Sequence, residues 1–299
     1  MDALTHDTTR RTGNMQPDSS TCILCGERRG IIREYCRGGY NVVQCAGCSL
    51  CFVAPLPSRE FLAGAYKQEY YAPWLREQRK RRERMWKKRL ETLNSLSRRK
   101  GSLLDVGCGD GLFLELARNE GWHPAGTDIS PFASAYGKGS LGLPIHQGEL
   151  NEIGFADETF DAVTMWHVLE HTTDPIAVLK EARRVIKKDG VLIVAVPNLN
   201  NILSQWAYRI VKGRSMHLFD PEDRELHLYH FNTRTITMAL EKAGFTVRGV
   251  GPDMGIVQHR IRILNHLARA AGIVSNTLIT DALEINAAPS DGSKRREKV

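Results

Sequence analysis

From residue 100 onward two hydrophobic periods alternate along the chain. Short apolar runs at 102–106, 124–128, 143–146, 160–166, 190–196 and 245–250 predict strands, and apolar positions three and four apart at 111–120, 130–137, 174–187 and 233–243 predict helices. Strands alternating with helices imply the α/β class, a mostly parallel sheet wound by helices on both faces. Local chemistry marks helix starts: a glycine turn opens the first, and Asp174 followed by Pro175 gives the third a cap and a first-turn proline. Upstream, 73–97 has a helical pattern with Trp86, Leu90, Leu93 and Leu96 on one side of a very basic surface.

The other stretches lack a period. Residues 1–20 are polar and predict a disordered tail. Between 21 and 56, two Cys-x-x-Cys pairs bracket Gly38, Gly39 and a strand-like run from Tyr40 to Gln44, which predicts a hairpin held between two knuckles. A basic linker helix region at 57–99, a main domain at 100–285 and a frayed polar tail at 286–299 complete the expected organisation. Residues 200–230, with Trp206, Tyr208 and Met216 among several charges, follow the fifth strand. Ligands of open α/β sheets bind at the carboxyl ends of the strands, so this stretch is expected to form a lid.

Composition narrows the setting. At 299 residues the chain can bury one main core and a small accessory one. The net charge of +7 is local, because twelve basic and three acidic residues lie between Arg76 and Lys100. It describes one segment, not a basic fold. No apolar run approaches the roughly 18 residues of a membrane span, and the polar N-terminus carries no export signal. A cytoplasmic, reducing setting without a membrane partner is therefore the expectation.

Four of the seven cysteines have metal spacing. Cys22 and Cys25 form one Cys-x-x-Cys pair, Cys45 and Cys48 the other, and nineteen residues separate Cys25 from Cys45. Each pair spans one edge of a tetrahedron, which fits a zinc ribbon, and four thiolates leave no open position for substrate, so the Zn2+ is expected to be structural. Cys36 and Cys51 fall outside the set. A ribbon beside a basic helix also raises nucleic acid as an alternative partner. Against it, only Trp86 lies among the basic clusters, whereas single-strand binders add several stacking aromatics.

Leu103 to Gly111 reads as an apolar strand running into a Gly-x-Gly-x-Gly turn, and Asp128 ends the next strand. Glycine lets the turn fold tightly and lets backbone approach a ligand, while an acid roughly 20 residues on can accept ribose hydroxyls. The turn differs from the longer Gly-x-Gly-x-x-Gly used for a pyrophosphate and suits a nucleoside without phosphate.

In these residues, and in Phe160 to His171 and Val191 to Asn198, the chain resembles class I S-adenosylmethionine (SAM) dependent methyltransferases, from about residue 100 to about 250. The resemblance implies a Rossmann-like, doubly wound, mostly parallel seven-stranded sheet with SAM as cofactor. It places Asp105, Gly107, Cys108, Gly109 and Gly111 at the methionyl end, Asp128 on the ribose, Ile129 on the adenine, and Glu149 near the adenine amino group. Trp166 and His167 would end the fourth strand where cofactor and acceptor meet. Cys108 reads as a small filler rather than a nucleophile.

His167 to His171 is similar to the Glu-x-x-Glu-His run of ubiquinone-biosynthesis O-methyltransferases and small-RNA 2′-O-methyltransferases, where the run can hold a divalent metal. Histidine replaces the first acid here, which disfavours magnesium. His227 to Phe231 resembles the His-Leu-x-His-Phe segment of the ubiquinone-type enzymes. His167, His171 and His230 are thus the candidate general bases, with structural roles as the alternative. Relatives with an N-terminal four-cysteine module and a tyrosine-rich linker like Tyr66, Tyr70 and Tyr71 belong to the same group. The resemblance implies methyl transfer to a small-molecule acceptor, at oxygen. An RNA methyltransferase and an inactive zinc-binding interaction protein are the alternatives; the Asp-Pro-Pro-Tyr type motif of amino-directed nucleic-acid enzymes is missing, and the intact glycine turn with Asp128 speaks against inactivity.

Overall fold

The computed structural model describes residues 21–65, 79–201, 216–253 and 281–290, together with 206, 208–210 and 213. The expected tail at 1–20, the tyrosine-rich linker, the start of the basic helix and parts of the lid lie outside the described residues.

The N-terminal ribbon is built from β1 (Gly30–Tyr35), β2 (Asn41–Cys45) and β3 (Cys51–Ala54), joined antiparallel. Two helices follow, α1 (Arg59–Ala65) and α2 (Arg79–Leu96). The main unit then runs β4 (Ser102–Val106), α3 (Leu112–Asn119), β5 (His123–Asp128), α4 (Pro131–Leu141), β6 (Ile145–Gln147), α5 (Leu150–Ile153) and β7 (Phe160–Trp166). It continues through α6 (Pro175–Val185), β8 (Ile186–Pro197), β9 (Tyr229–His230), α7 (Thr233–Lys242), β10 (Phe245–Pro252) and β11 (Ala282–Pro289).

Seven strands form the main sheet in the order β10-β11-β8-β7-β4-β5-β6. Pairings from β6 across to β8 are parallel, and β11 inserts antiparallel between β8 and β10. Side chains alternate across the sheet as a period of two requires. Leu103, Ala162, Ile193 and Ala195 face α2 and α3, where Leu90, Leu93, Phe113 and Leu114 are buried. Leu104, Val163, Leu192 and Val194 face the other way, onto Leu179 and Ala182 of α6 and Ile236 and Leu240 of α7. The expected cap is present, Asp174 accepting from the Ala177 amide at 2.8 Å, and Asn232 adds another by accepting from the Thr235 amide at 3.0 Å.

Two expectations need correction. The frayed tail was placed from 286, yet Ala282–Pro289 is a strand in the interior of the sheet. Its small alanines give a weak apolar signal, while Leu283, Ile285 and Ala287 are fully enclosed between neighbours on both sides. The lid at 200–230 is not wholly an insertion over the pocket. Its end, Tyr229–His230, pairs with β3 and becomes the fourth strand of the ribbon sheet, with Phe52 opposite Tyr229 and Cys51 opposite His230. Ribbon residues Val42, Val53 and Phe52 accordingly share one apolar cluster with the α6 and α7 side of the main sheet.

No helix among the described residues is long and apolar enough to cross a membrane. Ile285, with no exposed surface and partners on β8 and β10, is where the sheet depends most on its last strand. Ile285→Ala should cost about 2–5 kcal/mol in urea unfolding; a cost near zero would place β11 outside the cooperative core.

Candidate functional site

Parallel pairing sets Asp105 opposite Gly126 and Val106 opposite Thr127, so the turn after β4 closes beside the end of β5. Gly107, Gly109 and Gly111 adopt φ of +67°, +56° and +78°, left-handed values that a side chain resists. A Cβ on Gly107 would also come within 2.6 Å of Val168. Rolled in this way, the turn points the Gly109 amide at Asp128, donating to Oδ2 at 2.8 Å, while the Ser130 amide donates to Oδ1 at 2.8 Å. Asp128 is thereby held at the carboxyl edge.

Asp105 is buried and accepts from the Thr164 hydroxyl at 2.6 Å. Burial pushes its carboxyl up to about 7, although the Thr164 bond and the charge of Arg89 work the other way. A buried acid so placed is short of positive charge. Ile129, next to Asp128, is 44% exposed, an apolar face left open beside the turn. Cys108 packs beneath the turn, its thiol pushed well up by burial, as a filler would. Glu149 caps α5 and lies 3.7 Å from Arg59 of α1.

At the end of β7, Trp166 turns inward rather than toward an open pocket. The Arg89 guanidinium sits 4.7 Å from the ring centres of both Trp86 and Trp166, and Phe113 meets Trp166 edge-on at 5.6 Å. Arg89 is buried and paired with Asp253, just after β10, through Nε to Oδ1 at 3.1 Å. His167 follows Trp166 with φ +57°. Its Nε2 lies 3.0 Å from Asp253 and its Nδ1 3.3 Å from Glu170.

Burial works against a charged His167 ring, but the carboxylates of Asp253 and Glu170 outweigh it and raise the ring to about 9. An imidazolium occupied at both nitrogens has no lone pair to take a proton at neutral pH. The sequence-based choice of His167 as base thus gives way to an orienting positive charge.

The other candidates gather around Glu170, whose buried carboxylate faces His167 Nδ1 at 3.3 Å and His171 Nε2 at 4.0 Å. His171 Nδ1–H donates to the Leu226 carbonyl at 3.0 Å, and its ring lies 4.8 Å from that of His227. Burial, with the neighbouring His171, lowers His227 and keeps it neutral. His230 is buried, lowered to about 3 by burial, with Nε2 unbonded. Ligand atoms of Glu170, His171 and His227 all fall within 4.8 Å of one another. One carboxylate and two imidazoles could hold a divalent transition metal better than magnesium.

A family model for a methyltransferase domain matches residues 76–250. The chain belongs to this family, the class I SAM-dependent methyltransferases. Among curated proteins, a ubiquinone biosynthesis O-methyltransferase of Haemophilus ducreyi is 33% identical over 106 residues, covering 32% of this chain and 45% of the relative. The chain thus spans less than half the length of such relatives. By fold, it matches a chain of the complex between the Haloferax volcanii Trm112 methyltransferase activator and its methyltransferase, with TM-score 0.54, 16% identity, and coverage of 76% of this chain and 99% of that one. A SAM-dependent methyltransferase of Thermotoga maritima gives TM-score 0.51 at 18% identity, with the same coverages.

In the ribbon the four cysteines converge as their spacing implied. The Sγ atoms of Cys22, Cys25, Cys45 and Cys48 lie within 4.8 Å of one another, with Cys22 to Cys48 at 3.6 Å and Cys25 to Cys45 at 3.4 Å. A tetrahedral zinc with sulfur at about 2.3 Å sets its ligands about 3.8 Å apart, so the set fits the ion.

Sequence reasoning missed Arg89 and Asp253. Arg89 looked like part of a solvated basic face, and Asp253 stands outside every motif. They stand 164 residues apart in the chain, and only the tertiary fold brings them together. Because the folded-state value of His167 lies above the ordinary 6.5, its ion pairs stabilise the fold in full below about pH 6.5, and that contribution is lost as pH rises through about 9. Asp253→Asn should lower the His167 midpoint, read from its imidazole proton resonance, and destabilise the protein by about 3–5 kcal/mol because Arg89 loses its buried partner. An unmoved midpoint would remove Asp253 as the cause.

Proposed function

We propose that this chain transfers the methyl group of SAM to an oxygen of a small-molecule acceptor, with zinc held by Cys22, Cys25, Cys45 and Cys48 as a structural element. The observation that carries this proposal is the pair of buried acids, Asp105 and Asp128, set on either side of a left-handed glycine turn with Ile129 open beside them. SAM, when bound, supplies a methyl carbon on a sulfonium. Asp105 would face the methionyl ammonium, with Gly107, Gly109 and Gly111 admitting the ligand to the backbone. Asp128 would accept the ribose hydroxyls, Ile129 would cover the adenine, and Glu149 or the backbone beside it would meet the adenine amino group. Cys108 and Trp166 would support the pocket walls from behind.

On the acceptor side, the Nδ1–H bond to Leu226 fixes the His171 ring with Nε2 on the Glu170 side, so His171 is the base that would accept the hydroxyl proton, through Nε2. His167 and Glu170 orient the loop that carries it, and His230 backs the cluster. The H. ducreyi relative is named an O-methyltransferase, which agrees with a base-rich acceptor side. Nucleic acid fits less well, because three of the eight basic residues on the basic helix are already paired with acids of this chain. Arg82 pairs with Asp110 at 2.6 Å, Arg79 with Glu83 and Glu115, and Arg89 with Asp253.

Calorimetry with SAM tests the cofactor site. At pH 6, where Asp105 is largely protonated, binding should release a proton and tighten as pH rises to 8, and Asp128→Ala should abolish binding without unfolding. Equal affinity in the variant would dismiss the assigned site. With an acceptor found by incubating cell extract with labelled SAM, His171→Ala should lower turnover by about 100-fold or more at unchanged SAM affinity; full activity would hand the base role to another group.

A further inference from the structure

The ribbon is bound to the acceptor side by more than proximity. Cys48, a metal ligand, is followed by Ser49 at φ +66°, a left-handed value costly for serine, and then Leu50 leads into β3. The second knuckle is closed by the Cys45 amide on Leu50 at 2.9 Å and the Ser49 amide on Cys45 at 3.0 Å. Three residues beyond the ligand, Cys51 is already paired with His230. The Val53 amide donates to Leu228 at 2.9 Å, and Leu228 in turn donates to the Glu170 carbonyl at 2.7 Å. Leu226 accepts from His171 at 3.0 Å. The segment carrying His227 and His230 therefore lies between the ribbon on one flank and the Glu170 loop on the other.

The first knuckle is tied down as well. Lys242, in the last turn of α7, donates to the carbonyls of Ile23 and Leu24 at 3.0 and 2.8 Å, both between ligands Cys22 and Cys25. At the far end of the same segment, Glu34 of β1 accepts from the Leu218 amide and meets His217 Nδ1, each at 2.9 Å. Phe219 packs edge-on to Tyr40 at 5.4 Å. The segment from His217 to Phe231 is thus held by ribbon residues at its start and its finish.

We propose that the metal-bound ribbon is a positioning element of the acceptor site: the ion fixes the second knuckle, the knuckle fixes the register of β3, and β3 holds His227 and His230 against Glu170 and His171. This rests on the acceptor-side assignment above. The cofactor turn has no share in it, since β4, β5 and their glycines take their geometry from the main sheet. Val53 is the point of leverage. Its amide serves only the strap, because Val53 faces Val42 on β2 in a pair whose own bonds run through Phe52 and Ala54.

The test uses the full chain, loaded with zinc, stripped by a chelator, and reloaded. In hydrogen exchange followed by mass spectrometry, stripping should speed exchange at 226–231 about tenfold or more together with 51–54, while β4 and β7 keep their protection and SAM affinity is unchanged. The imidazole resonances of His171 and His227 should shift and return on adding zinc, with that of His167 staying in place. Val53→Pro, which deletes the strap's bond, should retain zinc and lose the protection at 226–231. Unchanged exchange at 226–231 after zinc removal overturns the proposal, and so does Val53→Pro with zinc and protection both intact. Failure of the zinc-loaded protein to bind SAM would instead strike the methyltransferase assignment, leaving the strap result to be read by itself.

Discussion

The hydrogen bond from the Gly109 amide to Asp128 ties the first two strands of the main sheet into one ligand-shaped edge. It exists only because the turn after β4 takes left-handed backbone at alternate positions, which directs a peptide N–H sideways to the neighbouring strand instead of along a helix. With that bond made, Asp105 and Asp128 flank one turn at fixed spacing. In the proposed function, a nucleoside with a cationic tail would meet both acids without either side chain having to search for it. The rest of the sheet, down to the late insertion of β11, serves to hold β4 and β5 in that register.

A second constraint governs the other half of the site. Arg89, Asp253, His167 and Glu170 form a chain of alternating charges whose Arg89 end lies against Trp86 and Trp166. Buried ions are expensive to desolvate, and such a chain is tolerable because each charge answers the next. It also explains why histidine can stand where related sequences have an acid. An acid at 167 would face Asp253 and Glu170 as a third negative charge, whereas imidazolium converts a repulsive cluster into a bonded one. The left-handed backbone of His167 is held by these two contacts.

Most of the fold was legible because its signals are local. Apolar runs marked six strands, Asp174 and Pro175 marked a helix start, and the cysteine spacing marked the ribbon. The turn and Asp128 were legible for the same reason, since glycine and an acid at fixed distance carry their own geometry. What escaped depends on contacts between distant elements. β11 was hidden by alanines that are apolar enough to pack only because the neighbouring strands are so well buried. Arg89 was hidden among charges that mostly meet solvent, and the pairing of β3 with β9 joins residues from opposite ends of the chain. Residue type left His167 open between a base and a structural role, and its two carboxylate neighbours, distant in the chain or on the next turn, favour the second.

The two halves of the site are therefore built on different principles. The groups proposed for the cofactor come from strand ends within one sheet, a frame that any acceptor could share. Acceptor-side groups come from a loop after β7 and a segment fastened to a separate sheet, so changes there need not disturb Asp105 or Asp128. On the proposed assignment, such a chain would alter its acceptor by altering the ribbon or the segment it holds, while the turn between Asp105 and Asp128 stays fixed. The same division explains the reach of the ribbon's cysteines: although they touch neither cofactor nor acceptor, the strand they anchor ends beside the histidines nearest Glu170.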